Sequence, residues 1–171
     1  MTSITRRTLA VIVALVASLT GALSTDAQNN TTIGLGGGYI SRNESGYAGI
    51  YLRHQFSRIV ALQPQVDFAI RNRDKDAYII TVDAHLSVPL RTERWNVYGI
   101  AGAGFSSWND PHTYADGKLV DRARHGALCA DLGAGAALNV TPTLRLALEA
   151  RANLAAARSC ALVGLSIGYN F

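Results

Sequence analysis

The stretch Ala161-Leu-Val-Gly-Leu-Ser-Ile-Gly-Tyr-Asn-Phe171 decides how this chain is read. Val163, Leu165, Ile167, Tyr169 and Phe171 fall on every second position, so they share one face of an extended strand, while Gly164, Ser166, Gly168 and Asn170 share the other. A strand with a large apolar face opposed by small and polar residues fits the wall of a closed barrel whose outside meets lipid. The competing reading, an edge strand of a soluble sandwich, has to be weighed against the rest of the chain.

The same alternation recurs in eight segments: Thr31–Ser41, Tyr47–Phe56, Ile59–Asn72, Ala77–Leu90, Trp95–Trp108, Gly126–Val140, Leu144–Ala156 and Cys160–Phe171. Each reaches the roughly 9–11 residues that a tilted strand needs to cross a bilayer. Tight connections at Ser57-Arg58, Arg91 to Arg94 and Thr141-Pro-Thr143 alternate with a set that includes the long loop from Asn109 to Arg124. An even strand number with one set of short turns predicts an all-β, eight-stranded, up-and-down antiparallel transmembrane barrel, with the short turns periplasmic and the long loop extracellular.

Facing follows from the cost of charge in lipid, about 2–4 kcal/mol for an arginine at the bilayer midplane. In the fourth segment Tyr78, Ile80, Val82, Ala84, Leu86, Val88 and Leu90 oppose Ile79, Thr81, Asp83, His85 and Ser87. In the seventh, Leu144, Leu146, Leu148, Ala150, Ala152 and Leu154 oppose Arg145, Ala147, Glu149, Arg151 and Asn153, and in the third Leu62, Val66, Phe68 and Ile70 oppose Gln63, Gln65 and Asp67. The charged faces are therefore expected inside. In the fifth segment Tyr98 and Ile100 share a face with Asn96, Gly102 and Gly104, so its facing stays open. Phe56, Trp95, Tyr169 and Phe171 at one end and Tyr39, Tyr78, Phe105 and Trp108 at the other are expected to form two aromatic belts at headgroup depth.

Residues 1–27 read as a cleaved secretory signal: Arg6 and Arg7 precede an apolar run from Leu9 to Leu23, and Thr25-Asp-Ala27 supplies small residues for cleavage. That run is shorter than the roughly 20 residues a helical span requires. The remaining residues 28–171 suit one barrel domain. The net charge of +4 comes from scattered basic residues that form no patch, so nucleic acid is not an expected partner. Cys129 and Cys160 lie toward the extracellular ends of segments six and eight; one strand separates them, which places their Cα atoms beyond the roughly 7 Å disulfide limit at equal height, and curvature leaves the pairing open.

Val163 to Phe171, with its terminal aromatic, resembles the C-terminal insertion signal of bacterial outer-membrane barrels. Leu62-Gln-Pro-Gln-Val-Asp-Phe68 and Val97-Tyr-Gly-Ile-Ala-Gly-Ala-Gly104 are similar to segments of small porin-family barrels of the OmpA/OmpX type. The resemblance implies a cell outer-membrane location in a Gram-negative-type bacterium, with membrane lipid and the barrel-assembly machinery as partners. Val163, Leu165, Ile167, Tyr169 and Phe171 would then carry the assembly signal. A cell-wall-binding domain like that of the larger OmpA relatives is not implied.

An eight-stranded barrel is just wide enough for side chains to fill it. Arg53, Asp67, Asp83, His85, Asp131, Arg145, Glu149 and Arg151 are the expected lumen charge network, with Asp131 opposite or one pair removed from Arg151 and Glu149 beside Gly133, flanked by Gly164. Paired charges fill a bore more readily than they conduct. The expected protein is therefore non-enzymatic, monomeric and without a cofactor or metal, with a structural or surface-interaction role; a ligand is allowed through loop 109–124. The alternatives are a narrow porin passing small ions or solutes, a lipid A-modifying enzyme built on Asp83, His85 and Ser87, and a soluble lipocalin-like barrel. The last demands apolar residues inside and charges outside, the reverse of segments four and seven. Asp110, His112, Asp116 and Asp121 in the long loop fit no metal-binding spacing.

Overall fold

A computed structural model describes residues 31–70, 76–88, 94–109, 114–115, 118–119, 124–156 and 158–171. The strands are β1 (Thr31–Ile40), β2 (Ser45–Gln55), β3 (Val60–Ala69), β4 (Ala77–Val88), β5 (Trp95–Asn109), β6 (Tyr114–Ala115), β7 (Lys118–Leu119), β8 (Arg124–Asn139), β9 (Leu144–Ala155) and β10 (Cys160–Asn170). Eight of them close into one barrel in the order β1-β10-β9-β8-β5-β4-β3-β2, every neighbouring pair antiparallel. The segment read as an extracellular loop carries a short ribbon, β6 paired with β7. The expected signal, residues 1–27, lies outside the described residues, as do Asp110, His112, Asp116 and Asp121.

Closure is made by β1 and β10, paired from Thr32–Asn170 to Ile40–Leu162. The Phe171 amide extends that ladder by donating to the Thr31 carbonyl at 2.9 Å. Closure leaves the barrel no open edge, as a sheet surrounded by hydrocarbon requires. The β2–β3 ladder is interrupted between Tyr51–Gln65 and His54–Leu62. Pro64 sits in the gap with no N–H to give, while its other flank still pairs with Val82.

The pleat sorts side chains as the cost of charge demands. Ala77, Ile79, Thr81, Asp83, His85 and Ser87 of β4 are buried inside, and Val82, Leu86 and Val88 are exposed outside. Leu35, Ile50, Leu148 and Leu165 project outward from β1, β2, β9 and β10. A soluble barrel would expose this apolar belt to water and bury the charges, so the lipocalin-like reading fails. The fifth segment, left open by its sequence, resolves with Tyr98 and Ile100 inside and Val97, Gly99, Ala101, Ala103 and Phe105 outside. Phe56, Trp95, Tyr169 and Phe171 are exposed at the end where β1 begins and β10 finishes, here called the entry end, and Tyr39 and Phe105 at the far end; Tyr78 is half-buried. Trp108 corrects the belt assignment. Ser106, Ser107, Trp108 and Asn109 are buried consecutively, so alternation has lapsed there, and Trp108 lies under the Arg42 guanidinium, whose central carbon is 4.7 Å from its ring centre.

Glycine provides the room inside. Tyr51 lies against Gly34 and Gly168, Tyr47 against Gly164, and Tyr98 against Gly135, so three aromatic rings rest on bare backbone where any Cβ would collide. At Gly104 a Cβ would strike the Ile80 carbonyl and Thr81 backbone, whereas at lipid-facing Gly99 it would meet nothing within 4 Å. Gly104→Ala is therefore expected to cost about 1–3 kcal/mol and Gly99→Ala to stay within about 0.5 kcal/mol of the parent, read from urea unfolding in lipid vesicles. Equal midpoints for the two variants would contradict this account of the wall.

Candidate functional site

The lumen gathers the polar chemistry of the chain in layers. At its centre Arg151 of β9 reaches across the bore to Asp67 of β3, Nη2 donating to Oδ2 at 2.8 Å. Its Nη1 lies 3.3 Å from Asp131 Oδ2 and 3.8 Å from Asp83 Oδ2, and its Nε 3.9 Å from Glu149 Oε2. One guanidinium thus faces four carboxylates carried by β3, β4, β8 and β9, and Arg151, Asp67, Asp83 and Asp131 are all buried. Neighbours hold the carboxylates in place: Gln63 donates to Gln65 and Gln65 to Asp67 along β3, Thr81 donates to Asp83, and Asn153 donates to Asp131 at 2.9 Å. A cavity of about 20 Å³ lies beside this cluster, lined in part by Tyr47, Tyr51, Gln65, Asp67, Glu149 and Arg151. That is room for about one water molecule.

Nearer the entry end a second group surrounds Tyr98. His85 stacks on its ring with centroids 4.8 Å apart, and the central guanidinium carbons of Arg53 and Arg145 lie 5.4 and 5.5 Å from its centre. The Tyr98 hydroxyl donates to Glu149 Oε1 at 2.7 Å, which joins the two groups. Toward the far end Ile40, Tyr47, Ile79, Cys129, Ala155, Cys160 and Leu162 form an apolar layer. Above it, in the β1–β2 turn, buried Arg42 donates to Ser106 Oγ at 2.5 Å and to the Arg158 carbonyl, and covers Trp108. Burial holds the Arg42 guanidinium below the usual arginine range.

All eight residues expected in the network lie on the inner side of their strands, but they divide. Asp67, Asp83, Asp131 and Glu149 meet Arg151; Arg53, His85 and Arg145 meet Tyr98. The register agrees with expectation for Asp131, one pair removed from Arg151, and for Gly164 beside Glu149, and differs for Gly133. Gly133 faces Arg151, and Glu149 faces Gly135, because the β8–β9 hairpin is centred on Pro142 and closes at Asn139–Arg145. On its other flank Glu149 pairs with Gly164. Sequence reasoning missed Tyr98, which joins the two groups, and Arg42. The strength of the first was hidden by the mixed face of β5, and the second sits in a turn, outside any periodic pattern. Val163, Leu165, Ile167, Tyr169 and Phe171 are all exposed on the outer face.

The comparisons with solved structures match this architecture. The N-terminal β-barrel domain of Pseudomonas aeruginosa OprF aligns over 85% of this chain and all of that domain, with a TM-score of 0.66 at 17% identity. Neisserial surface protein A aligns over 85% of this chain and all of its own, at 0.66 and 10% identity. Ail, the attachment invasion locus protein of Yersinia pestis, aligns over 82% of this chain and 96% of its own, at 0.59 and 16% identity. The chain has the fold of the eight-stranded outer-membrane barrels. No family model and no curated protein matches its sequence.

Within this outer-membrane-type barrel Asp83, His85 and Ser87 share an inner face without forming a catalytic set. The His85 Nδ1 faces Arg53 Nη1 at 3.4 Å, and Ser87 Oγ accepts from Asn96. Asp83 faces Thr81 and Arg151. Cys129 and Cys160 are free thiols within the apolar layer, not a disulfide.

The central cluster makes a quantitative demand on stability. Arg151→Met leaves buried carboxylates without their shared cation and is expected to cost about 3–5 kcal/mol. Arg124→Met removes a half-exposed pair with Asp76 at 4.0 Å and should cost no more than about 1 kcal/mol. Urea unfolding of both variants in vesicles checks the contrast; similar losses would contradict it.

Proposed function

We propose that this chain is a monomeric, non-enzymatic barrel of the bacterial outer membrane whose lumen is closed by its own side chains, and that its duty is structural or exercised at the cell surface. The observation that carries the reading is Arg151 spanning the bore among Asp67, Asp83, Asp131 and Glu149. Each arm of that cluster occupies cross-section that a conducting pore would leave to water. The water-sized cavity beside it, the Tyr98 group on one side and the apolar layer on the other support the same conclusion. The continuous outer belt of aliphatic side chains supports the membrane location, and closure without a free edge supports a monomer. The exposed row from Val163 to Phe171 is the surface we assign to recognition by the barrel-assembly machinery. Loop 109–124 is the segment we assign to any extracellular ligand.

Planar-bilayer recording of the refolded protein tests the reading. The wild type is expected to show no steady conductance, and Glu149→Ala with Arg151→Ala to open one, since the double change removes two long side chains together. Large ion-selective channels in the wild type would overturn the closed-lumen reading and favour the narrow porin.

A further inference from the structure

Positive charge in the lumen is unevenly matched. Arg151 takes the attention of all four carboxylates, while no carboxylate oxygen of the described residues lies within 4.0 Å of Arg53 or Arg145. Glu149 is the acid nearest in chain order to Arg145, yet its Oε1 accepts from the Tyr98 hydroxyl and its Oε2 is turned to Arg151. Arg53 and Arg145 are nonetheless 2% and 6% exposed, and both pack on the one Tyr98 ring. Two like charges confined together in a space of low polarisability call for a counter-ion.

The donors for one are in place. Arg53 Nη2 and Arg145 Nη2 are buried and have no acceptor among the described residues. His85 orients the first. Its Nδ1 faces Arg53 Nη1 at 3.4 Å; because a guanidinium can only donate, that nitrogen must be the bare acceptor, which places the ring hydrogen on Nε2. That turns the Nε2 hydrogen to the side of the ring away from Arg53, so the fully buried His85 orients the guanidinium and is not a donor beside it. Buried donors left unsatisfied are costly, so two such guanidinium groups packed on one ring mark a place where an acceptor belongs.

We propose that Arg53 and Arg145 form a binding site for a small inorganic anion of halide size, in the half of the lumen nearer the entry end, beside Tyr98. Arg53 and Arg145 supply the charge and the donors, and His85 Nδ1, accepting from Arg53 Nη1, holds that guanidinium in place. The close packing of His85 on Tyr98 and the near-complete burial of the donors favour chloride over tetrahedral oxyanions. The site does not depend on whether the lumen conducts: a closed barrel would hold the ion as part of its structure.

The test compares thermal unfolding of the refolded protein in sodium chloride and in sodium gluconate at equal concentration. Chloride is expected to raise the wild-type midpoint by about 3 °C, as ligand linkage requires for an ion held only by the folded state, and Arg145→Met to abolish the difference. Wild-type crystals grown in bromide should give an anomalous peak beside Arg53 and Arg145, a measurement that stands even if the variant does not fold. Equal midpoints in the two salts with no bromide peak would overturn the proposal and leave water as the partner of these donors. Sulfate stabilising more than chloride would overturn the assignment to a halide-sized ion.

Discussion

The antiparallel seam between β1 and β10 is the constraint on which everything else rests. Inside hydrocarbon an unpaired strand edge has no water to turn to, so a sheet is tolerated only when its last strand returns to its first. Once that seam is made, eight strands enclose a bore just wide enough for side chains, and the usual inside-out logic of a soluble protein is reversed. Leucine, isoleucine and valine go outward because lipid accepts them, and every charge the strands carry must find its partner within the bore.

That requirement explains how the wall and interior were built together. Rings at Tyr47, Tyr51 and Tyr98 fit because Gly164, Gly34, Gly168 and Gly135 leave the facing backbone bare. Charges are then divided between two groups joined by Tyr98 and Glu149. The central group holds an excess of carboxylates around Arg151; the group nearer the entry end holds Arg53 and Arg145, with no carboxylate oxygen of the described residues within 4.0 Å of either. The free thiols of Cys129 and Cys160 belong to neither, and act as small apolar fillers of the layer beneath Arg42.

Much of this was legible from period alone. In β4 and β9 a charge at every second position is so costly against lipid that the inner face follows directly, and the strand limits fell within a few residues of those observed. Two things were not legible, and one was misread. The facing of β5 turned on Tyr98, whose ring is at home against lipid or over Gly135, and only the pairing with β8 decides between them. Trp108 read as a belt residue because aromatics favour strand ends, but a cation in the neighbouring turn draws it inward, and no periodic pattern encodes a turn side chain. The partner of Glu149 could have been counted: a hairpin centred on Pro142, as the Thr141–Thr143 turn implies, pairs Glu149 with Gly135 and not with Gly133.

The central claim is the reversal itself: aliphatic side chains of the strands meet lipid, and the buried network lies within. Methyl-resolved NMR in nanodiscs measures this directly, through nuclear Overhauser contacts between protein methyls and lipid acyl chains. Leu35, Ile50, Leu148 and Leu165 should show strong acyl-chain contacts, and Ile79 and Leu162 none. Acyl-chain contacts at Ile79 and Leu162, with silence at Leu35 and Leu165, would contradict the account.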